Sequence, residues 1–211
     1  AYQILGDLLL TWKDTTQAVT AYNRELDLRT AVARTRYTRD STTINEVCWA
    51  DFTNDILWVR IHSSKPGALN LSLDLSRKEN AISRVSGSML IMEGQLPSGK
   101  DKGLRFATVV QPEIIGGTIR QTTMGNHPVL NIENADELII KISAATDYDY
   151  AKFGITGTDP LPTALSYLKT NLNYNSALEK NRVVYSGYYQ RNQWSMRENP
   201  EVLHLSTQQR L

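Results

Sequence analysis

The sequence predicts a mainly β protein, an antiparallel β-sandwich followed by a helical C-terminal segment. Three observations support this prediction. Up to Tyr150, short segments alternate apolar and polar residues, which is the period of a strand with one buried face. Turn residues separate these segments, and no helical stretch lies between them, so antiparallel pairing is expected. Beyond Tyr150, apolar residues recur three and four positions apart, as on one face of a helix.

The clearest predicted strand contains four leucines, Leu69, Leu71, Leu73 and Leu75, which alternate with polar residues. Period two places all four on one face. Residues 55–63 repeat the pattern, with apolar residues on one face and Trp58 among polar residues on the other. Further strands are predicted near residues 5–13, 31–39, 42–50, 81–94, 103–111, 113–121, 128–133 and 136–145.

Short groups of turn residues separate these strands, and their composition indicates how the chain reverses direction. Gly116-Gly117 is interpreted as a hairpin turn, because no phosphate-binding pattern surrounds it. The other turn signals are Lys65-Pro66-Gly67, Pro97-Ser98-Gly99-Lys100 and Gly125-Asn126. Strands joined in this way and buried on two sides favour a sandwich.

The C-terminal segment contains two predicted helices. Asp159 is positioned to cap the first, with Pro160 at its first position. Ser176 and Glu179 have the spacing of a capping box, which predicts a second helix to about Gln190. We expect the apolar stripe and the tyrosines of this segment to need a partner surface beyond the sandwich: Leu161, Leu165, Leu168, Leu172, Tyr185, Tyr188 and Tyr189.

The composition excludes several classes of protein. The 211 residues carry a net charge of +1, and no run of Lys or Arg exceeds two residues, so no nucleic-acid footprint is indicated. The apolar runs fall far short of the roughly 20 residues of a membrane span. Cys48 is the only cysteine, so no disulfide within the chain is possible. The chain starts at Ala1 without a signal peptide, which indicates processing or excision.

No metal site, cofactor site or complete set of catalytic residues is predicted. His62, His127 and His204 are widely separated, whereas a zinc site needs three or four converging ligands. Cys48 lies in a predicted strand with no neighbour to activate it, which favours a small buried side chain over a nucleophile.

Asp147 and Asp149 are the one candidate carboxylate pair. Residues at i and i+2 of a strand point to the same side, and a glycosidase needs two carboxylates about 5 to 9.5 Å apart. Acidic residues are also common where a strand enters a turn, and this second interpretation is the favoured one.

The tryptophans raise the possibility of sugar binding, because flat rings stack on pyranose faces. Trp58 is the leading candidate, and packing in the core or between domains is the commoner role of such residues. The four tryptophans are Trp12, Trp49, Trp58 and Trp194.

Several blocks of sequence, taken together and in order, form a pattern that extends along most of the chain. They are Tyr2 to Leu8 (YQILGDL), Tyr22 to Leu28 (YNRELDL) with Ala31, Glu46 to Ala50, Asp55 to Arg60, Lys65-Pro66-Gly67, Ala144 to Tyr148 (AATDY), the segment around Tyr185 to Arg191, and Thr207 to Leu211. This pattern resembles the N-terminal domain of glycoside hydrolase family 95, the α-L-fucosidase-type enzymes. The sequence departs from the family pattern at Asn181, Asn192 and Gln209.

The resemblance implies a division into a β-sandwich domain, residues 1–150, and a helical linker, residues 151–211. It places the family's catalytic residues in an (α/α)6 barrel that follows Leu211, so no catalytic residue is assigned and the chain alone is expected to be inactive. The expected role is to pack against and support that barrel in glycan degradation. The alternative is an independent carbohydrate-binding or surface glycan-utilisation module.

Three further expectations depend on the resemblance alone. The family's domain begins before the first block, so the sandwich is expected to lack leading strands. Unpaired strand edges then favour a homo-oligomer, because an open edge accepts another chain. A bacterial, periplasmic or secreted location is expected.

Overall fold

Two antiparallel sheets lie face to face in the computed structural model, which describes residues 3–14, 16, 18–99, 101–125, 127–170, 172–192 and 199–210. The chain therefore forms the β-sandwich with C-terminal helices that its sequence predicts. In chain order the elements are β1 (Asp7–Trp12), β2 (Val19–Asp27), β3 (Val32–Arg39), β4 (Thr42–Asp51), β5 (Ile56–Ser63), β6 (Leu69–Ser76), β7 (Ala81–Ser86), β8 (Met89–Ser98), β9 (Asp101–Ile115), β10 (Thr118–Met124), β11 (His127–Ala135), β12 (Glu137–Thr146), β13 (Tyr148–Asp149), β14 (Gly154–Ile155), α1 (Leu161–Tyr167), α2 (Tyr174–Tyr189), a 3-10 turn (Pro200–Val202) and α3 (Thr207–Arg210).

The larger sheet has eight strands in the order β2-β3-β4-β5-β12-β9-β8-β7. The smaller sheet has four strands in the order β1-β6-β11-β10, and β13 and β14 form a separate short hairpin. The central strands of the larger sheet are paired on both sides, whereas β2 and β7 are its edges.

The core between the sheets contains the four leucines of β6, each at most 3% exposed. They face apolar side chains of β5, β8, β9 and β12, including Ile61, Leu90 and Leu138. Burying each such side chain contributes about 1.5–3 kcal/mol, so this face fixes the register of β6. The predicted one-sided burial of these leucines is confirmed.

A second apolar core lies on the outer face of the larger sheet, beneath α1 and α2. Ala164 and Leu168 are buried there, and Leu161, Leu165 and Leu172 pack against it. The expectation that this stripe needs a surface beyond the sandwich is therefore wrong, because the larger sheet supplies that surface. The larger sheet is covered on both faces in this region.

The caps of the two helices differ in part from the sequence prediction. Asp159 Oδ1 accepts from the Leu161 amide at 3.0 Å, as expected for the start of α1. α2 starts three residues earlier than the capping box at Ser176 predicts. Its cap is Asn173, whose side-chain oxygen accepts from the Ser176 amide at 2.9 Å. Among the described residues, no helix is long and apolar enough to cross a membrane.

The Gly116-Gly117 pair is a corner between the two sheets, which corrects its interpretation as a hairpin turn. β9 pairs with β8 and β12, whereas β10 pairs with β11 in the smaller sheet. Gly116 and Gly117 have φ values of +71° and +67°, and a Cβ on Gly117 would lie 2.1 Å from the Glu133 carbonyl oxygen. Only glycine fits this backbone at so close an approach.

Strand boundaries differ from the prediction in three places. The predicted strand at residues 113–121 is wrong, because β9 ends at Ile115 and β10 begins at Thr118 in the other sheet. Residues 81–94 form two strands instead of one, because β7 and β8 are joined by a turn at Gly87 with φ +60°. β2 is not among the predicted strands, and eight of its nine residues are exposed. It lacks apolar alternation because neither of its faces lies in a core.

Candidate functional site

The outer-face core contains two of the candidate tryptophans. Trp49 and Trp58 are paired across β4 and β5, and their rings stack with centroids 5.7 Å apart. Tyr174 of α2 meets both rings edge to face, at 6.1 and 5.8 Å. Trp58 is fully buried and Trp49 is 2% exposed, so neither ring offers a face to a sugar. Core packing, the commoner role considered for them, is the one that the structure shows.

Trp12 lies in a different place, at a cleft of about 480 Å³ near the edge of the smaller sheet. The Arg39 guanidinium carbon lies 4.3 Å from the centroid of its ring, so one face of the indole is already occupied. An Arg39 Nη2 atom donates to the Asp14 carbonyl oxygen, and the whole side chain is 6% exposed. The fourth tryptophan, Trp194, lies outside the described residues.

The histidines and the cysteine form no reactive centre. All three histidines are exposed; His62 lies in β5, His127 in β11 and His204 in a turn. Within the described part of the chain, no group of three His, Cys, Asp or Glu residues has the arrangement of a metal site. Burial raises the pKa of the Cys48 thiol, which disfavours the thiolate that a nucleophile requires.

The two candidate carboxylates have separate structural roles. Asp147 is 2% exposed, and its Oδ1 accepts from the Arg105 amide at 2.9 Å. Asp149 Oδ1 accepts from the Ala151 amide at 2.9 Å, and its other oxygen lies 3.2 Å from the Lys152 ammonium. The favoured interpretation, acidic residues at the end of a strand entering a turn, describes both.

A polar groove surrounds the side chain of Arg105. It consists of two adjoining clefts of about 680 and 420 Å³, which share Gln95 and Arg105 as lining residues. Arg105 Nη1 donates to the Gly157 carbonyl oxygen at 3.2 Å, and Nη2 lies 4.0 Å from Asp159. We name this feature the Arg105 groove.

The Arg105 groove is not among the sites that the sequence predicts. Its walls come from the consecutive strands β7, β8 and β9 and from residues 147–160, which are distant from those strands in the sequence. The one local signal was Asp147, which the resemblance block from Ala144 to Tyr148 contains.

An exposed aromatic patch lies at the C-terminal end of α2. Tyr185 Oη donates to the Leu28 carbonyl oxygen at 3.0 Å, and its ring stacks on Tyr189 at 6.2 Å. Tyr188 meets Phe52 edge to face at 6.0 Å. Leu28, Phe52 and Tyr188 are 60%, 47% and 55% exposed. These five residues, the C-terminal patch, form an apolar surface without a partner among the described residues.

Two of the known proteins that this chain resembles are much longer than the chain itself. Alpha-L-fucosidase 2 of Arabidopsis thaliana is 26% identical over 229 aligned positions, which cover 97% of this chain and 26% of the relative. A solved structure described as a putative kojibiose phosphorylase from the human microbiome aligns with a TM-score of 0.58 and 14% identity. That alignment covers 87% of this chain and 27% of the phosphorylase, and it supports the fold alone. The chain thus spans about a quarter of each.

The match to a family covers most of the sandwich. Residues 1–151 match the sequence model of the N-terminal domain of glycosyl hydrolase family 65, which is more than half of the chain. The matched residues include all strands of both sheets and end in the turn between β13 and β14. The resemblance to the N-terminal domain of a glycoside hydrolase is therefore confirmed. On this evidence the chain belongs to the family of glycosyl hydrolase family 65 N-terminal domains.

Proposed function

We propose that this chain is the non-catalytic N-terminal section of an α-L-fucosidase-type glycoside hydrolase of family 95. In this role it packs against an (α/α)6 catalytic barrel of the same polypeptide and supports it during glycan degradation. The family membership and the likeness to the Arabidopsis alpha-L-fucosidase 2 support the enzyme class. The division into a sandwich, residues 1–150, and a helical linker, residues 151–211, is part of this proposal.

The C-terminal patch is the observation that carries the packing role. Helices α1 and α2 already cover the outer face of the larger sheet, so the rings at the end of α2 do not serve that core. Large exposed rings that contact one another form an apolar surface, and such surfaces are typical of protein interfaces. Arg191 lies over the Tyr188 ring at 5.1 Å and adds a charge at its rim.

A double substitution, Leu28→Asp with Tyr188→Asp, tests this role in the whole polypeptide. We expect the free energy of unfolding of the whole enzyme to fall by about 3 kcal/mol, because two apolar contacts are lost and two charges are buried. The isolated 211-residue chain should change by less than about 0.5 kcal/mol, since both positions are exposed in it. Denaturant unfolding of both proteins measures the difference.

Met124→Asp is the matched control. Met124 is 50% exposed and lies at the β10–β11 hairpin, in the smaller sheet. It should leave the stability of both proteins unchanged. Equal stability of the doubly substituted and unaltered whole enzymes would contradict the packing role.

The proposal also assigns no fucosidase activity to the chain by itself. An assay of the purified chain with an aryl α-L-fucoside should show no hydrolysis above the buffer rate. Turnover by the chain alone would show that it contains the catalytic groups. A bacterial source and a periplasmic or secreted location are part of the same proposal, and fractionation of the native host tests the location.

A further inference from the structure

One oxygen of a buried carboxylate at the Arg105 groove accepts no hydrogen bond from the described residues. Asp147 is only 2% exposed, and it is one of the residues that line the larger cleft. Oδ1 accepts from the Arg105 amide at 2.9 Å, whereas Oδ2 has no hydrogen-bond partner among the described residues. A buried carboxylate oxygen without a donor is unfavourable, so a ligand hydroxyl at this point would be bound favourably.

The charges that line the groove balance one another. Three cationic side chains, Arg84, Lys102 and Arg105, face three carboxylates, those of Glu93, Asp147 and Asp159. Arg84 is paired with Glu93 at 2.9 Å. A groove of this kind favours neither an anion nor a cation, and it offers both donors and acceptors to a neutral polar ligand.

The polar groups of the groove are held in place before any ligand arrives. Gln95 Nε2 donates to the Gly103 carbonyl oxygen at 3.1 Å, which fixes the orientation of the amide. Thr156 donates to the Asp147 carbonyl oxygen through its amide at 2.9 Å and through its hydroxyl at 3.0 Å. Fixed groups lose little entropy when they bind a ligand.

An exposed aromatic residue is carried by the same hairpin that forms one wall. β13 and β14 supply Ile155 to the groove, and the turn between them presents Tyr150, which is 82% exposed. The Tyr150 ring packs against the Tyr148 ring in an edge-to-face arrangement at 5.1 Å, and most of the Tyr150 side chain stays exposed. Open aromatic faces stack on the apolar faces of sugar rings.

We propose that the Arg105 groove is a binding site for a neutral oligosaccharide. The guanidinium of Arg105, the amide of Gln95 and the carboxylate of Asp147 are planar groups that match pairs of adjacent sugar hydroxyls. Tyr150 supplies the stacking surface. This site lies apart from the C-terminal patch and does not rest on the catalytic barrel, so it goes beyond the role proposed above.

Calorimetric titration of the 211-residue chain tests the site with three probes. They are a neutral glucose hexasaccharide, a neutral trisaccharide that ends in α-L-fucose, and a hexasaccharide of galacturonate as the anionic comparison. We expect saturable binding of at least one neutral probe, at least about tenfold tighter than binding of the anionic one. No saturable binding of either neutral probe would overturn the proposal.

Substitutions then locate the site. Gln95→Ala and Tyr150→Ala should each weaken the binding of the neutral probe by about fivefold or more, and Tyr188→Ala, an exposed ring in the C-terminal patch, should leave it unchanged. Asp147→Asn keeps an acceptor for the Arg105 amide but replaces an acceptor with a donor, so we expect at least about a tenfold loss. Circular dichroism checks that each variant is folded.

Two results would contradict this placement. Binding that is unchanged in both Gln95→Ala and Tyr150→Ala would put the ligand elsewhere. A lower melting temperature of Asp147→Asn with unchanged affinity would assign Asp147 a structural role alone. Because all titrations use the chain without a catalytic domain, failure here leaves the packing role untouched, and the reverse also holds.

Discussion

Asn181 is the residue whose environment departs furthest from ordinary protein interiors. It lies in α2, is 1% exposed, and neither its amide nitrogen nor its oxygen has a partner among the described residues. Its neighbours on the inner face of α2, Tyr174 and Ala177, are also buried. A buried amide without partners costs about 1–3 kcal/mol. This position limits how well α2 packs on the sheet.

Asn181→Leu should therefore stabilise the chain by about 1 kcal/mol, because it removes the unpaired amide and adds apolar contact. Urea unfolding gives the change in the free energy of unfolding. The matched control is Asn175→Leu, an exposed position on the same helix, which should change stability by less than about 0.5 kcal/mol. A loss of stability in Asn181→Leu would show that the amide is satisfied in solution.

Single residues also show where reading the sequence succeeds and where it fails. The alternation around Leu71 and Leu73 predicts a buried face correctly, because the signal lies within one strand. Trp58 lies on the polar face of its own strand by pattern, yet it is fully buried. The residue that covers the Trp58 ring is Tyr174, more than a hundred positions later in the chain. The sequence around Trp58 therefore does not predict this contact.

The edge strand β2 is the element most open to association with another chain. Val19, Tyr22 and Leu26 are 53%, 60% and 63% exposed, and β2 pairs on one side only, with β3. A shift in register lies between Thr20 and Asn23, which twists part of this edge. The remainder, with Leu26 on it, is still a free edge of the kind that accepts another strand.

Leu26→Lys tests the expected homo-oligomer at this element. If chains associate through β2, the unaltered protein should scatter light with a mass above 23.8 kDa, and the variant should return to that mass. The charge acts by making a paired edge unfavourable. Ile82→Lys, on the opposite edge strand β7, is the comparison and should not change the mass. An unaltered protein that scatters as one chain would contradict association.

Elements are predictable from sequence to the extent that one face of each is buried. β6 and β12 were identified because their apolar residues face a core. β2 was missed for the opposite reason, since it contributes almost no buried side chain. The sequence at Gly116-Gly117 does not distinguish a corner from a hairpin, because two glycines with positive φ values suit both. Contacts outside the turn determine that β10 pairs with β11 and not with β9.

At the scale of the whole molecule, burial of three weak acids makes stability depend on alkaline pH. Burial is the main cause that raises the pKa of Tyr37, Cys48 and Tyr174 above their ordinary values, which are 10.0 for tyrosine and 9.0 for the thiol. A hydrogen bond from Tyr37 to Glu46, 2.7 Å long, adds to the rise for Tyr37. The folded state holds these protons more tightly than the unfolded chain.

Because these pKa values are raised on folding, their contribution is complete below pH 9.0 and is lost as pH rises through the folded values. We expect the urea midpoint to be level between about pH 7 and pH 8.5 and to fall progressively towards about pH 11. Tyr37→Phe should flatten the part of this fall that begins near pH 10.0. A midpoint that is independent of pH across this range would contradict the prediction.

The candidate site as a whole was less predictable than the fold. The Arg105 groove joins β8, β9 and the β13–β14 hairpin, and only their packing places Gln95, Arg105 and Asp147 together. The resemblance identified the class of domain from blocks distributed along the chain, whereas the groove has no block of its own. Class and fold are therefore predictable from the sequence, whereas a site assembled from segments that are distant in the sequence is not.

Because Tyr174 of α2 packs on Trp49 and Trp58, tryptophan fluorescence can report whether α2 is packed on the larger sheet. While the helix is docked, the two stacked indoles are in a dry environment, and their emission should lie at short wavelength. If the helix lifts from the sheet, water reaches both rings and the emission moves to the red. Tryptophan fluorescence of the unlabelled chain would thus report the opening of this segment in real time.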